Sequence, residues 1–362
     1  MPALGPILAA LAGLLLMGAA SGEPGATAVP QAGCREGLDS SAQAILAPYS
    51  GQAPGAALLV LREGKPRLRV ARGMADLEAR REAAPSTQFR LASVSKQFTA
   101  MAVLLLVQDG VLRLDAPVGQ WLPSLPPATA AVTLRDLLSH RSGLVDYEDF
   151  VADDAPQVRD ADVLRLLEQQ DRLLFAPGTD YRYSNSGYAL LALVVERASG
   201  QAYPDFLHDR IFAPLGMHGT LARTDEGPAV TERAYGYRLE EGTWVRRDQS
   251  STSAVLGDGG IYSSIDDLAA WDAALYDDRL LGAALRGQMF SRQGPTDDPA
   301  IDYGLGWRLT DGTQWHSGES IGFRNVIVRD PARRITVVML TNRDDPEPYA
   351  LARSLLACAR NE

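Results

Sequence analysis

The stretch that decides how this chain folds is Ser93–Gln108, which reads SVSKQFTAMAVLLLVQ. It predicts a helix, and Asp109-Gly110 would close it because glycine readily takes the left-handed conformation at a helix end. From Met101 to Val107 the helix would be apolar on all sides. A helix of that kind is surrounded by protein rather than by water, so we expect it at the centre of the molecule.

At the start of this helix, Lys96 follows Ser93 by three residues, which places both side chains on one helical face. Only two of the 35 basic residues are lysine, and the others are arginine. Lysine can lose its proton when burial or neighbouring positive charge favours the neutral amine, whereas arginine in a protein stays charged. Ser93 and Lys96 are therefore a candidate nucleophile and its base, although this spacing alone is a weak signal.

Outside this helix, segments of β-type sequence lie at both ends of the chain and predict two hairpins. The first joins Ala56–Arg62 to Arg67–Arg72, and the second joins Asn325–Val328 to Ile335–Thr341 through a proline turn. Further helices are predicted at Thr133–His140, Asp160–Gln170, Gly187–Ala198, Ile265–Tyr276 and Tyr349–Ala359.

This order of elements predicts an α+β fold. An antiparallel sheet would be built from both chain ends and flanked by helices, with a mainly helical lobe inserted between them. The sheet lobe would comprise about residues 35–90 and 300–362, and the helical lobe about residues 91–299. A ligand is expected in a cleft where the two lobes meet.

The N-terminus differs in character from the rest of the chain. Residues 1–22 carry no charged side chain and contain a short apolar run, Ile7–Ala20. This run is too short to span a bilayer comfortably but suits a signal peptide. We therefore predict a signal peptide at 1–22, a loose linker at 23–34 and a folded domain at 35–362, with no stable membrane span. The protein would be exported, as a periplasmic or secreted protein.

Cys34 and Cys358 are the two cysteines of the chain. In an exported protein they could form one disulfide that ties the ends of the domain together. The alternative is two unrelated thiols, and the sequence does not decide between them.

Composition excludes some classes of function. The 362 residues carry a net charge of -10, and no basic run is present, so the chain is not expected to bind nucleic acid. The histidines show no metal-binding spacing: His208 and His218 are given no role, and His140 is interpreted as closing a helix. No metal or organic cofactor is implied.

Three short motifs follow one another along the chain: Ser93-Val94-Ser95-Lys96, Tyr183-Ser184-Asn185 and His316-Ser317-Gly318. A fourth, Gly318-Glu319-Ser320-Ile321-Gly322, fits the G-x-S-x-G nucleophile elbow of α/β-hydrolases. That architecture needs a helix after the serine and a later catalytic histidine. Here β-type sequence follows Ser320, and His316 is the last histidine, so the elbow is rejected.

With its three ordered motifs, the chain resembles the serine β-lactamase and penicillin-binding protein family, in the branch of class C β-lactamases and D-Ala-D-Ala carboxypeptidases. The flanking sequences are also similar: TLRDLLSHRSGL from Thr133, FAPGTDYRYSNSGYALLALVVERASG from Phe175 and GDGGIYSSIDDLAAW from Gly257. The resemblance covers about residue 40 to the C-terminus. It implies a serine hydrolase that acts through an acyl-enzyme.

The motif residues then take catalytic roles. Ser93 is the nucleophile, at a helix start that favours a developing oxyanion. Lys96 and Tyr183 are both candidates for its base, and the sequence does not tell which of them holds the proton at rest. Asn185 would orient the substrate amide. By resemblance, residues 316–318 line the opposite wall, with a glycine that lets substrate approach, and the backbone N–H groups of Ser93 and Glu319 form the oxyanion hole.

His316 is where this chain departs from class C β-lactamases, which typically carry lysine at this place. Histidine is mostly neutral near pH 7, so it offers less to a β-lactam carboxylate. The favoured function is a D-Ala-D-Ala carboxypeptidase-like peptidase or esterase acting on a small amide, peptide or ester. A class C-like β-lactamase and a penicillin-binding sensor or scaffold without turnover are the alternatives.

Overall fold

The computed structural model of the protein describes residues 37–362. The strands are β1 (Ala56–Arg62), β2 (Lys65–Arg72), β3 (Met74–Asp76), β4 (Arg81–Glu82), β5 (Phe89–Arg90), β6 (Leu221–Ala222), β7 (Tyr237–Glu240), β8 (Thr243–Arg246), β9 (Ile261–Ser263), β10 (Gly294–Pro295), β11 (Asp302–Tyr303), β12 (Arg308–Thr310), β13 (Thr313–Ser320), β14 (Phe323–Asp330) and β15 (Ile335–Thr341). The helices are α1 (Gly37–Leu46), α2 (Lys96–Gln108), α3 (Pro127–Ala130), α4 (Leu134–Leu138), α5 (Asp160–Leu167), α6 (Asn185–Ser199), α7 (Tyr203–Leu207), α8 (Ala213–Leu215), α9 (Leu256–Gly259), α10 (Ile265–Ala274), α11 (Ala283–Met289) and α12 (Pro348–Arg360).

An antiparallel sheet of eight strands forms the framework, in the order β10-β11-β12-β13-β14-β15-β1-β2. The two predicted hairpins meet at its centre, where β15 pairs with β1 from Ala56↔Thr341 to Arg62↔Ile335. The sheet is thus built from both ends of the chain with helices packed on it, which confirms the predicted fold class.

Alternate residues of the central strands face two different cores. In β1, Leu58 and Val60 pack with α1 and α12, whereas Leu59 and Leu61 pack with α2 and the other helices. Strands buried on both faces read as continuous apolar runs, as β1 does. The sheet therefore lies between a thin layer of two terminal helices and the larger helical part of the molecule.

The predicted central helix is buried but begins later than expected. Residues Ala92–Ser95 form a 3-10 turn, and the α-helix α2 starts only at Lys96. Its residues Ala100–Leu106 are all buried, which confirms that the apolar run lies in the core. The nucleophile candidate Ser93 therefore lies in the turn that leads into the helix.

The N-terminal predictions lie outside the described residues. These are the signal peptide at 1–22, the linker at 23–34 and the Cys34 end of the candidate disulfide. Within residues 37–362, no helix is both long and apolar enough to cross a bilayer.

Candidate active site

The turn that carries Ser93 is held in an unusual conformation by its neighbours. Ala92 has a φ of 50°, in the left-handed region that residues with a side chain rarely adopt. The backbone N–H of Leu91 donates to the carbonyl of Ile261 at 2.8 Å, and the N–H of Ile261 donates to Ser95 Oγ at 3.2 Å. Ser93 itself is half-buried, whereas Lys96 is fully buried. Strain of this kind persists where the surroundings fix the backbone.

Lys96 is fully buried and lies in contact with three oxygen atoms. Its Nζ is 2.9 Å from Ser93 Oγ, 2.7 Å from Asn185 Oδ1 and 2.9 Å from the backbone oxygen of Asp258. Two of these are carbonyl oxygens, which can only accept hydrogen bonds. A neutral amine would give its two hydrogens to them and turn its lone pair to the Ser93 hydroxyl.

Burial is the largest influence on the charge of Lys96, and it lowers the pKa of the ammonium group. The carboxylates of Asp258, Glu148 and Asp146 oppose this effect, and Arg308 adds to it. The amine form is therefore more accessible near neutral pH than for a lysine in water. This is the property that a general base requires.

Tyr183 lies beside the same lysine, with Lys96 Nζ 4.9 Å from the centroid of its ring. Burial raises the pKa of its phenol above the ordinary value, while Arg308 and a hydrogen bond with Ser93 act in the opposite direction. The phenol is therefore protonated at rest. Of the two candidate bases, the site favours Lys96 as the group that can accept a proton from Ser93.

Asn185 is positioned by the start of α6. Ser184 is the N-terminal cap of this helix, and its Oγ accepts from the N–H of Gly187 at 3.4 Å. The backbone N–H of Asn185 donates to Asp146 Oδ2 at 2.6 Å, while its side-chain oxygen faces Lys96. The Tyr183-Ser184-Asn185 motif is thereby brought against the Ser93 turn.

The third motif lies on β13, which runs past the same turn. A Cβ atom on Gly318 would be 2.1 Å from the carbonyl oxygen of Leu91 and 3.2 Å from the backbone nitrogen of Ser93. The absence of a side chain at Gly318 thus lets β13 approach the turn that carries Ser93. The sequence had predicted a different role for this glycine, which was to let the substrate approach. Among the described strands, β12 pairs with residues 313–315 of β13, which leaves residues 316–320 unpaired on that side.

The other residues of this wall differ in exposure. Ser317 is half-buried, and Glu319 is exposed, with only its backbone N–H used in the predicted oxyanion hole. His316 is buried, and both of its ring nitrogens are engaged: Nε2 with Tyr303 Oη at 2.9 Å and Nδ1 with the carbonyl of Ser317 at 2.6 Å. The imidazole is therefore part of the protein interior behind the wall.

His140 belongs to the site, which the sequence interpretation missed. It does follow α4 in a left-handed conformation, with a φ of 58°, as a helix-closing residue would. However, its ring is buried and packs against that of Tyr183 with the ring centroids 4.1 Å apart. The flanking sequence LLSHRSGL contained this residue, but no spacing rule linked it to Tyr183.

Several charged side chains at the site were also missed. Arg308 places its guanidinium carbon 5.5 Å from the centroid of the Tyr183 ring, and its Nη1 donates to Ser317 Oγ at 3.4 Å. Asp258 is buried below Lys96 and accepts a hydrogen bond from Tyr147 Oη at 2.8 Å. These residues were not recognisable because arginine and aspartate are common in this chain and neither stands in a motif with Ser93.

Glu148 completes the acidic side of the site. As a residue it is exposed, but its carboxyl group is turned towards the side chain of Asn185. Burial of that carboxyl group, with repulsion from Asp146 and Asp258, raises the pKa of Glu148 to about 7. The site thus has carboxyl groups near Asn185 and a guanidinium group near Ser317.

Comparison with known proteins agrees with this geometry. The beta-lactamase family matches residues 38–360 of the chain. Penicillin-binding protein 4* of Bacillus subtilis is 33% identical over 300 residues, which cover 77% of this chain and 66% of that protein. A D-aminopeptidase of Brucella canis is 32% identical over 322 residues, which cover 84% of this chain and 59% of that protein. The chain thus spans about three fifths to two thirds of these relatives.

A solved structure is similar over nearly its whole length. The D-amino acid amidase of Ochrobactrum anthropi SV3, complexed with D-phenylalanine, superposes with a TM-score of 0.75 at 27% identity, and covers 90% of this chain and 99% of that one. The family match spans the sheet and the helical part, including all three motifs. The chain therefore belongs to the beta-lactamase family.

Proposed function

We propose that the protein hydrolyses the amide bond of short peptides of D-amino acids through an acyl-enzyme on Ser93. The observation that carries this proposal is the position of Lys96 Nζ, 2.9 Å from Ser93 Oγ and held there by two carbonyl oxygens. D-Amino acids are suggested by the relatives, since one is a D-aminopeptidase and another is a D-amino acid amidase.

The reaction would follow the usual course of acyl transfer. Ser93 Oγ attacks the carbonyl carbon of the substrate and passes its proton to Lys96. The backbone N–H groups of Ser93 and Glu319 stabilise the oxyanion. The proton then reaches the leaving amine by way of Tyr183, and the C–N bond breaks. Water attacks the acyl-enzyme, the same groups take its proton, and the hydroxyl of Ser93 is restored.

The leaving group would carry a free carboxylate. Arg308 contacts Ser317 on the β13 wall and adds positive charge there, because arginine stays protonated in a protein. A guanidinium group suits a carboxylate because it offers several donors in one plane. This favours the carboxypeptidase-like function over hydrolysis of uncharged esters.

A second candidate, removal of an N-terminal D-residue, is favoured by the acidic side of the cleft. Asp146 and Glu148 lie beside Asn185, where the acyl part of the substrate would bind. Carboxylates at this position would attract a free ammonium group on that residue. A D-dipeptide with both ends free would satisfy both sides of the site.

A panel of substrates separates these functions. D-Ala-D-Ala has both charged ends, N-acetyl-D-Ala-D-Ala lacks the ammonium group, and D-alanine amide lacks the carboxylate. Fastest hydrolysis of N-acetyl-D-Ala-D-Ala supports a carboxypeptidase, fastest hydrolysis of the amide supports an aminopeptidase, and D-Ala-D-Ala is a substrate for both. If a fluorescent penicillin is turned over faster than any of them, the protein is a β-lactamase. A persistent adduct without peptide hydrolysis indicates a penicillin-binding sensor.

The same panel with Ser93→Ala tests the central claim. The variant should lose hydrolysis of every substrate by about 10³-fold or more, since it has no nucleophile. Hydrolysis that persists at the wild-type rate would show that Ser93 is not the acylated residue.

We further propose that the protein is exported. This rests on the apolar run Ile7–Ala20 and on the small residues in which it ends, Gly18 to Ser21. N-terminal sequencing of the protein recovered from outside the cytoplasm tests it. A chain that stays in the cytoplasm and retains Met1–Gly22 would contradict export.

A further inference from the structure

A line of four hydrogen bonds connects the backbone next to Tyr183 with the β13 wall. The N–H of Ser184 donates to His140 Nδ1 at 3.0 Å, and His140 Nε2 lies 3.1 Å from Tyr303 Oη. The same hydroxyl lies 2.9 Å from His316 Nε2, and His316 Nδ1 lies 2.6 Å from the carbonyl oxygen of Ser317.

The two ends of this line fix the tautomers of both rings in their neutral forms. The N–H of Ser184 can only donate, so His140 Nδ1 carries no proton, and the neutral ring has its proton on Nε2. The carbonyl of Ser317 can only accept, so the proton of His316 is on Nδ1. Tyr303 Oη then accepts from His140 and donates to His316, and all three side chains are satisfied.

Charging either histidine would disrupt the line. A proton on His140 Nδ1 would face the N–H of Ser184, and a proton on His316 Nε2 would turn the hydroxyl hydrogen of Tyr303 away from this ring. Burial also disfavours a charged imidazole ring, and the three residues of the line are each 1% exposed: His140, Tyr303 and His316. Burial and the positive charges of Lys96 and Arg308 hold the pKa of both imidazoles well below the ordinary value. The titratable or charged side chains around the line are Tyr181, Tyr183, Tyr188, Lys96 and Arg308.

We propose that Tyr303 is a positioning residue of this active site, which holds His140 and His316 as opposite neutral tautomers. Through these two rings it fixes the segment that carries Tyr183 relative to the segment that carries Ser317. The proposal rests on the proposed function, in which Tyr183 moves the proton and the Ser317 wall holds the substrate.

This arrangement also accounts for histidine at position 316. A permanently charged side chain there would add positive charge to the surroundings of Lys96 and could not accept from Tyr303. The neutral imidazole adds none, and it links the carbonyl of Ser317 to the interior of the protein. His316 thus binds the backbone carbonyl of Ser317 from the protein interior, while Arg308 provides the positive charge near the Ser317 side chain.

The tautomers can be measured directly because the chain has only four histidines. In protein labelled with ¹⁵N-histidine, long-range ¹H–¹⁵N spectra distinguish a proton on Nδ1 from one on Nε2. His208 and His218 are exposed, and His208→Gln and His218→Gln assign their signals. We expect the two remaining rings to stay neutral between about pH 5.5 and 8, one in each tautomer. Two rings in the same tautomer, or a charged ring in this interval, would overturn the proposal.

Tyr303→Phe tests the positioning role, with Tyr181→Phe as the control in the same aromatic cluster, its ring 5.9 Å from that of Tyr303. Without the hydroxyl, the neutral form of His316 loses a hydrogen bond, so the pKa of its imidazole should rise. We expect kcat to fall about tenfold, the value of one hydrogen bond, and its acid limb to move to higher pH. A Tyr303→Phe enzyme with the wild-type tautomers and pH profile contradicts the role.

The two readouts also separate this inference from the proposed function. The spectra need no substrate, so they remain decisive if Tyr303→Phe does not fold. If the tautomers are as stated but no D-peptide is hydrolysed, the proposed function is wrong and the hydrogen-bonded line stands. If D-peptides are hydrolysed through Ser93 but the tautomers differ, the inference alone fails.

Discussion

Gly318 lies so close to Leu91 that a Cβ atom on residue 318 would be 2.1 Å from the Leu91 carbonyl oxygen. Both partners are backbone, so neither can move aside as a flexible side chain would. Gly318→Ala should therefore push β13 away from the Ser93 turn. We expect kcat/KM to fall by about 100-fold or more, as a displacement of about 1 Å at reacting groups does.

The matched control for this variant is Gly287→Ala. Gly287 lies within α11, and a Cβ atom there would meet nothing within 4 Å. Alanine should leave activity unchanged and raise the free energy of unfolding by up to about 1 kcal/mol, because it favours the helix. Steady-state kinetics and thermal unfolding of both variants check this pair. Wild-type activity in Gly318→Ala would show that the contact with Leu91 is not needed.

Lys96→Arg tests proton transfer separately from charge. Arginine keeps the positive charge but cannot lose its proton, so it cannot take the proton of Ser93. We expect kcat to fall by about 10²- to 10⁴-fold, the usual contribution of a general base. The other lysine, Lys65, is exposed at the turn of the first hairpin, so Lys65→Arg should be fully active. A fully active Lys96→Arg would exclude Lys96 as the base.

The fold was predictable where the sequence pattern is long. Ala56–Arg62 and Ile335–Thr341 are strands of seven residues each, and their apolar runs identified them. The strands β10 and β11 have two residues each, which is too few to show any periodicity. The sequence also could not show that β15 pairs with β1, since pairing depends on packing between distant segments.

The candidate site was predictable where residues stand in motifs. Ser93, Lys96, Tyr183 and Asn185 were identified from two short segments, and the structure brings them together. Arg308 was not identified from the sequence, because its position beside Tyr183 depends on the course of β12 across the sheet. The role of such a residue depends on distance in space, which a single sequence does not contain.

The candidate disulfide gives a prediction for the ends of the domain. Cys358 is buried in α12, and its Sγ lies 3.4 Å from Ser41 Oγ in α1. In the sequence, Cys34 precedes the first residue of α1, Gly37, by three positions. We expect intact mass spectrometry to show no alkylation before reduction and two alkylated thiols after it. Two thiols that react without reduction would contradict the disulfide.

Arg308→Gln tests recognition of a substrate carboxylate. Removing the guanidinium group should raise KM for D-Ala-D-Ala by about 10- to 100-fold, which is the loss of affinity expected when a hydrogen bond to a charged group is removed. KM for D-alanine amide, which has no carboxylate, should change little. Arg279→Gln, at an exposed arginine, is the control and should leave both values unchanged. An equal loss for both substrates would mean that Arg308 acts on the reaction and does not select the carboxylate.

Glu148→Gln tests recognition of a substrate ammonium group through its pH dependence. The pKa of Glu148 is raised to about 7, so the carboxylate forms only as the pH rises through that value. The amine of D-alanine amide is protonated below about pH 8. KM for this amide should therefore fall as the pH rises towards 7 and rise again above about 8. Asp149→Asn, at the exposed neighbouring residue, should keep this profile.

In Glu148→Gln the lower limb of that profile should disappear, because no carboxylate forms at this position. The limb above about pH 8 belongs to the substrate amine and should remain. N-Acetyl-D-Ala-D-Ala has no ammonium group, so its KM should not respond to the substitution. If the variant keeps the lower limb, another carboxyl group near Lys96 produces that limb. Asp258, which contacts Tyr147, is such a group, because burial raises its pKa.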